Sequence, residues 1–145
     1  SFWLCFVINI CKEMINNKII KIASNTKNVG LTKKFNFKSS LKNSLCGDKI
    51  KIELIVKNFK ISSMKYETEA CVYCEASASL LASKIKNLVL NDAIKDLNLL
   101  KNLIKNEKSS FPKPFKDFKI LINKKNLKRI NCINLPFDAV LKALR

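Results

Sequence analysis

Histidine is missing from this chain across all 145 residues. Without an imidazole, the commonest general base and the commonest nitrogen ligand are both unavailable. Any tetrahedral transition-metal site must then be built from thiolates and a carboxylate. That favours sulfur and metal chemistry over hydrolysis or nucleotide chemistry. Arginine is nearly missing too: only Arg129 and Arg145 occur, and every other basic residue is a lysine. Groove-reading proteins favour arginine, whose planar fork grips phosphates and guanine edges with two bonds at once. The net charge of +17 therefore reads as a solvated lysine surface that steers acidic partners, with no nucleic acid among them.

Long apolar runs are lacking as well. Residues 1–10 (SFWLCFVINI) fall far short of the ~20 residues a spanning helix needs, so no membrane partner is expected. The run also has no basic flank to mark it as a signal peptide. A reducing, cytoplasmic setting follows, with Cys5, Cys11, Cys46, Cys71, Cys74 and Cys132 free or metal-bound. Met14 opens an ordinary amphipathic stretch. Residues 1–13 are expected to be an N-terminal extension outside the fold, and residues 14–145 one domain. A domain of this size buries roughly 68–70% of the surface its unfolded chain exposes, so it needs no disulfides.

What the chain does have is clear periodicity. Ile15, Ile19, Ile20 and Ile22 form a helical stripe ending at Ser24-Asn25. Residues 34–41 alternate weakly through Phe35 and Phe37, as an edge strand would. From Lys49 to Lys57, Ile50, Ile52, Leu54 and Val56 alternate with Lys49, Lys51 and Glu53, the pattern of a half-buried strand. Asn58 marks a tight turn, and Lys60 to Thr68 alternates again, less cleanly. Beyond Cys71 the period lengthens: Ala76, Leu80, Ala82 and Ile85 suit a helix of small residues lying close to a sheet. Further helices are expected from an Asn91 N-cap to Ile104, from Phe115 to Ile122, and from Pro136 to Leu144 with proline in the first turn. Strands followed by helices describe an α+β fold, a small antiparallel sheet with helices on one face.

Three cysteines fall at element boundaries on this map. Cys46 and Asp48 share the turn into the long strand, Cys71 stands at a strand-to-helix junction, and Cys132 precedes the last helix. In a turn, the Cys-x-Asp spacing lets both side chains face one point. A helix N-terminus beside Cys71 is expected to lower its thiol pKa. A lone cysteine is often only a small apolar filler. The polar neighbours of these three favour a site. Cys71-Val72-Tyr73-Cys74 also spells Cys-x-x-Cys, which suggests a redox dithiol or half a zinc site; the plainer reading makes Cys74 a buried filler.

The segments Asn43-Ser44-Leu45-Cys46-Gly47-Asp48, Ala70-Cys71 followed by Ala76-Ser77-Ala78-Ser79, and Arg129-Ile130-Asn131-Cys132-Ile133-Asn134-Leu135-Pro136-Phe137 resemble the iron–sulfur cluster assembly family of NifU N-terminal domains, IscU and SufU. Asn25-Thr26-Lys27-Asn28-Val29-Gly30 is similar to that family's N-terminal Asn-Pro-x-Asn-x-Gly loop. The resemblance implies a three-stranded antiparallel sheet with packed helices. It also implies that Cys46, Asp48, Cys71 and Cys132 are ligands of Zn²⁺ or an iron–sulfur cluster. Asn131 stands where the IscU branch has histidine. Together with a longer stretch between Cys71 and Cys132 and with Arg129, it aligns the chain with the SufU branch. A cysteine desulfurase of the SufS type would then donate sulfur to Cys46, and recipient apo-proteins would take clusters. Arg129 would stabilise thiolate or persulfide charge, or hold Asp48. Ser44 and Ala70 depart from the family's proline and glycine, and Ala70 stiffens the loop carrying Cys71. Two rival readings are a thiol–disulfide oxidoreductase using Cys71 and Cys74, and a lysine-rich nucleic-acid module.

Overall fold

The structure is a computed structural model and describes residues 17–105 and 110–145. The expected extension at 1–13, the helix start at Met14 and part of the loop after Ile104 lie outside those residues. Helix α1 (Asn17–Ala23) leads into three antiparallel strands, β1 (Phe37–Lys42), β2 (Lys49–Lys57) and β3 (Lys60–Glu69), ordered β1-β2-β3. Helices α2 (Val72–Lys84) and α3 (Leu90–Asn102) follow. Two 3-10 segments, Lys113–Ile120 and Lys124–Arg129, then precede helix α4 (Ile130–Ala143). The α+β architecture expected from the sequence is the one observed.

Alternation sets the two faces of the sheet. Ile50, Ile52 and Leu54 of β2 point into the core, while Lys49 and Lys51 face solvent. The blurred alternation of β3 has a local cause. Leu54 pairs with Met64 and Ile55 with Ser63, but Val56 pairs with Ile61, so Ser62 is an extra residue in a bulge. The bulge lets Ile61, Met64 and Tyr66 all reach the core despite their uneven spacing. On the outer face Glu53 is buried beneath the preceding loop, its Oε1 accepting the N–H groups of Thr32 at 2.8 Å and Lys33 at 3.1 Å.

Helix α2 is buried around most of its circumference, wedged between α1, β3 and α4. Small side chains make that possible, and the buried hydroxyls are satisfied: Ser77 Oγ donates to the Ile133 carbonyl at 2.6 Å, and Ser79 Oγ to the Asn25 carbonyl at 3.4 Å. Phe118 closes the far side of the core, meeting Phe115 at 6.0 Å and Phe137 at 5.2 Å edge-to-face.

Several expected boundaries shift. Helix α3 begins with Val89 at its N-cap position, which places Asn91 inside the first turn. The stretch after Pro114 winds as a 3-10 segment (Lys113–Ile120) with a kink at Phe115. A second such segment, Lys124–Arg129, was not expected; Asn123 caps it by accepting the Lys125 N–H at 3.1 Å. The last helix starts at Ile130, so Pro136 lies in its interior and Cys132 in its first turn. Its missing N–H leaves the Cys132 carbonyl without a ladder partner, a cost that the packing of α4 against β1, β2 and α2 outweighs.

Candidate metal centre

The β1–β2 connection is built to turn back on itself. Asn43 Oδ1 accepts the Leu45 N–H at 2.9 Å, the Gly47 N–H bonds the Asn43 carbonyl at 2.8 Å, and the Asn43 N–H bonds the Asp48 carbonyl at 2.8 Å. Gly47 sits at φ +76°, a left-handed conformation that glycine adopts without strain. That reversal sends the side chains of Cys46 and Asp48, two residues apart, toward one point.

Helix α4 brings the third group. The ligand atoms of Cys46, Asp48 and Cys132 lie within 4.8 Å of one another, and Cys132 Sγ is 3.5 Å from Cys46 Sγ. Cys71 stands at the N-cap position of α2, and its N–H donates to Asp48 Oδ1 at 3.1 Å. Its sulfur lies outside the mutual distance of the other three, yet it interacts electrostatically with both Asp48 and Cys132. All four expected ligands thus gather at one end of the sheet. Exposure separates them: Cys46 faces solvent, Cys71 is half-buried and Cys132 is buried.

Asp48 is 5% exposed, and its Oδ2 is buried with no hydrogen-bond partner of ordinary geometry. Burial works against its ionisation. The Cys132 thiol, the Cys71 N–H, and the thiols of Cys71 and Cys46 outweigh burial and hold its pKa below the ordinary carboxylate value. A buried anionic oxygen with no well-formed hydrogen bond, facing a cluster of thiols, fits a thiophilic cation or a metal–sulfur cluster. The donor set of three sulfurs and one carboxylate oxygen would complete a tetrahedral shell.

The thiols respond the other way. Burial is the first cause that raises the Cys132 pKa, and the neighbouring Cys46, Asp48 and Cys71 add to it. For Cys71 the expected lowering is overturned. Burial raises its pKa, and the Asp48 carboxylate adds to that. The Cys74 N–H at the helix start favours the thiolate without forming a full capping hydrogen bond, and it is outweighed.

Arg129 lies with its guanidinium 5.7 Å from the Tyr73 ring centroid, a cation–π contact beside the start of α2. Among the described residues it makes no ion pair with Asp48. Cys74 is wholly buried in the core, and burial pushes its thiol pKa far up. Sequence reasoning missed Ser77, which ties α2 to α4 and so couples the elements carrying Cys71 and Cys132. Its place inside the Ala-Ser-Ala-Ser run was the available signal.

The model of the NifU-like N-terminal domain matches residues 14–141, and the chain belongs to that family. Two Archaeoglobus fulgidus proteins, the iron–sulfur cluster assembly scaffold proteins IscU 1 and IscU 2, are each 23% identical over 131 residues, spanning 90% of this chain and 74% of theirs. The N-terminal part of a NifU-like protein from Brucella abortus superimposes with a TM-score of 0.83 at 20% identity, covering 93% of this chain and 94% of that one. A putative iron–sulfur cluster assembly scaffold protein for the SUF system from Fervidobacterium islandicum gives a TM-score of 0.82 at 20% identity, over 91% and 97% of the two chains. Among the described residues no helix is long and apolar enough to cross a membrane.

Proposed function

We propose that this protein is an iron–sulfur cluster assembly factor of the SufU/NifU type. On this reading it accepts persulfide sulfur from a SufS-like cysteine desulfurase and holds Zn²⁺ or an iron–sulfur cluster through Cys46, Asp48, Cys71 and Cys132. The single observation that carries it is the convergence of Cys46, Asp48 and Cys132 within 4.8 Å, with Asp48 Oδ2 buried and unpartnered among them. A bound ion keeps such thiols deprotonated without oxidising them.

Cys46 is the sulfur acceptor, because it alone of the three candidate ligand cysteines is exposed to a partner. Its thiolate attacks the outer sulfur of the donor's persulfide. A new S–S bond forms on Cys46, the donor's S–S bond breaks, and the donor leaves as a thiolate. No net redox change occurs in that transfer. Asp48 is the exchangeable oxygen ligand, and Arg129 supplies positive charge beside the α2 terminus that carries Cys71. The lysine-rich surface steers an acidic donor or recipient apo-protein, in a cytoplasmic setting.

The test is Cys46→Ala measured with a partner desulfurase. The reading expects loss of stimulation and of sulfur uptake; unchanged stimulation eliminates the acceptor role. Protein purified without oxygen should carry zinc, or iron with labile sulfide, and metal-free protein that cannot be loaded contradicts the ligand set.

A further inference from the structure

Cys46 and Cys132 are in contact but unlike. Their sulfurs are 3.5 Å apart across 86 positions of sequence. Cys46 rides on the solvent-facing turn, whereas Cys132 is 4% exposed in the first turn of α4. A separation of ~3–3.5 Å is that of a near-attack pair, so little motion separates this contact from bond formation. Because Cys132 is buried, an incoming protein cannot reach it. Its accessible targets are the groups already in the site.

We propose that Cys132 is the resolving thiol of this centre. Once Cys46 carries a sulfane sulfur, Cys132 displaces that sulfur as hydrosulfide and leaves a Cys46–Cys132 disulfide. The inference rests on Cys46 being the acceptor. In the step, the Cys132 sulfur attacks the Cys46 sulfur and an S–S bond forms between them. The bond from Cys46 to the sulfane sulfur breaks, and its electron pair leaves with the sulfane sulfur. The Cys132 proton ends on that leaving sulfur. The Cys132 sulfur is oxidised and the sulfane sulfur is reduced to the sulfide level that clusters contain. A dithiol reductant then restores the pair by exchange at the exposed Cys46 sulfur. The centre would thereby convert delivered sulfur into sulfide with electrons from its own thiol.

The experiment uses the full chain, freed of metal and oxygen, and glutathione persulfide carrying a heavy sulfane isotope, with excess donor removed before the reaction is followed. Wild-type protein should release heavy hydrosulfide and accumulate, in equal amount, a Cys46–Cys132 linkage seen by peptide mass mapping. In Cys132→Ser the heavy sulfur should stay on Cys46 and its release should slow by ~tenfold or more, since only solvent and Cys71, which stands outside the 4.8 Å cluster, remain to displace it. Label on Cys46 that leaves at an unchanged rate in Cys132→Ser overturns the inference. Wild-type release without the Cys46–Cys132 linkage overturns it equally, whether or not the variant folds. Failure of Cys46 to take label in folded wild-type protein overturns the acceptor reading itself, a result distinct from the other two.

Discussion

Ser77 Oγ donates to the Ile133 carbonyl at 2.6 Å, and this one hydrogen bond joins the helix that begins beside Cys71 to the helix that carries Cys132. Neither residue is among the candidate ligands. Their contact sets how close the two helices lie, and so where one sulfur stands relative to the other. A serine at this position serves two needs. It is small enough for close helix packing, and its hydroxyl is satisfied where it is wholly buried.

Ser77→Ala keeps the size and removes the bond. Unfolding stability should fall by about 1 kcal/mol, the net worth of a buried neutral hydrogen bond. Urea denaturation of the two proteins measures it, and equal midpoints would show that the bond contributes nothing.

The β2–β3 hairpin carries avoidable strain. Asn58 and Phe59 both have left-handed backbones, at φ +52° and +61°, and Phe59 is 81% exposed. Asparagine tolerates this turn; an exposed phenylalanine gains little from packing and is strained by its Cβ. Phe59→Gly should raise stability by about 0.5–1 kcal/mol, the relief of strain less the added freedom of glycine in the unfolded chain. A lower urea midpoint would mean that the exposed ring contributes more than its strain costs.

Removing Asp48 should separate metal affinity from fold stability. Asp48→Ala deletes the oxygen donor, and zinc affinity by competition with a chromophoric chelator should fall at least ~tenfold. The Cys71 N–H loses its acceptor, but the buried unpartnered Oδ2 is removed too, so stability of the metal-free protein should change by about 1 kcal/mol or less. Undiminished affinity would exclude Asp48 as a ligand.

Zinc binding should be pH-dependent with a definite sign. Cys71 and Cys132 have raised pKa values in the metal-free fold, so both hold their protons at neutral pH. Ligation must expel those protons, and affinity should therefore climb with rising pH, by about tenfold per pH unit for each proton released. The same chelator competition between about pH 6 and about pH 8 reads the slope. A flat profile would mean that the thiols are already ionised before the ion arrives.

Much of the candidate site's local geometry is legible in the sequence. The missing histidine limited the ligand chemistry, and Cys46-Gly47-Asp48 announced a turn with two donors converging, which the left-handed Gly47 carries out. The alternation from Lys49 to Lys57 identified the strand and its core positions Ile50, Ile52 and Leu54, whereas Val56 is only half-buried and Glu53 is buried on the outer face. Less legible were features where one signal has two meanings. Pro136 marked a helix start by propensity, yet it sits in the interior of α4, because packing of that helix against β1, β2 and α2 outweighs one lost ladder bond. The uneven spacing of Ile61, Met64 and Tyr66 blurred a strand that a bulge makes regular again.

Local chemistry, then, was determined by sequence alone: which donors exist, which turn pairs two of them, and which strand faces the core. Tertiary structure decided the electrostatics and the reach. The helix start beside Cys71 favours a thiolate by itself, but burial and a carboxylate brought from 23 residues away reverse the outcome. The contact of Cys132 with Cys46 exists only because α4 lies across the sheet and α2. Charge and distance act through space, and the folded chain sets both.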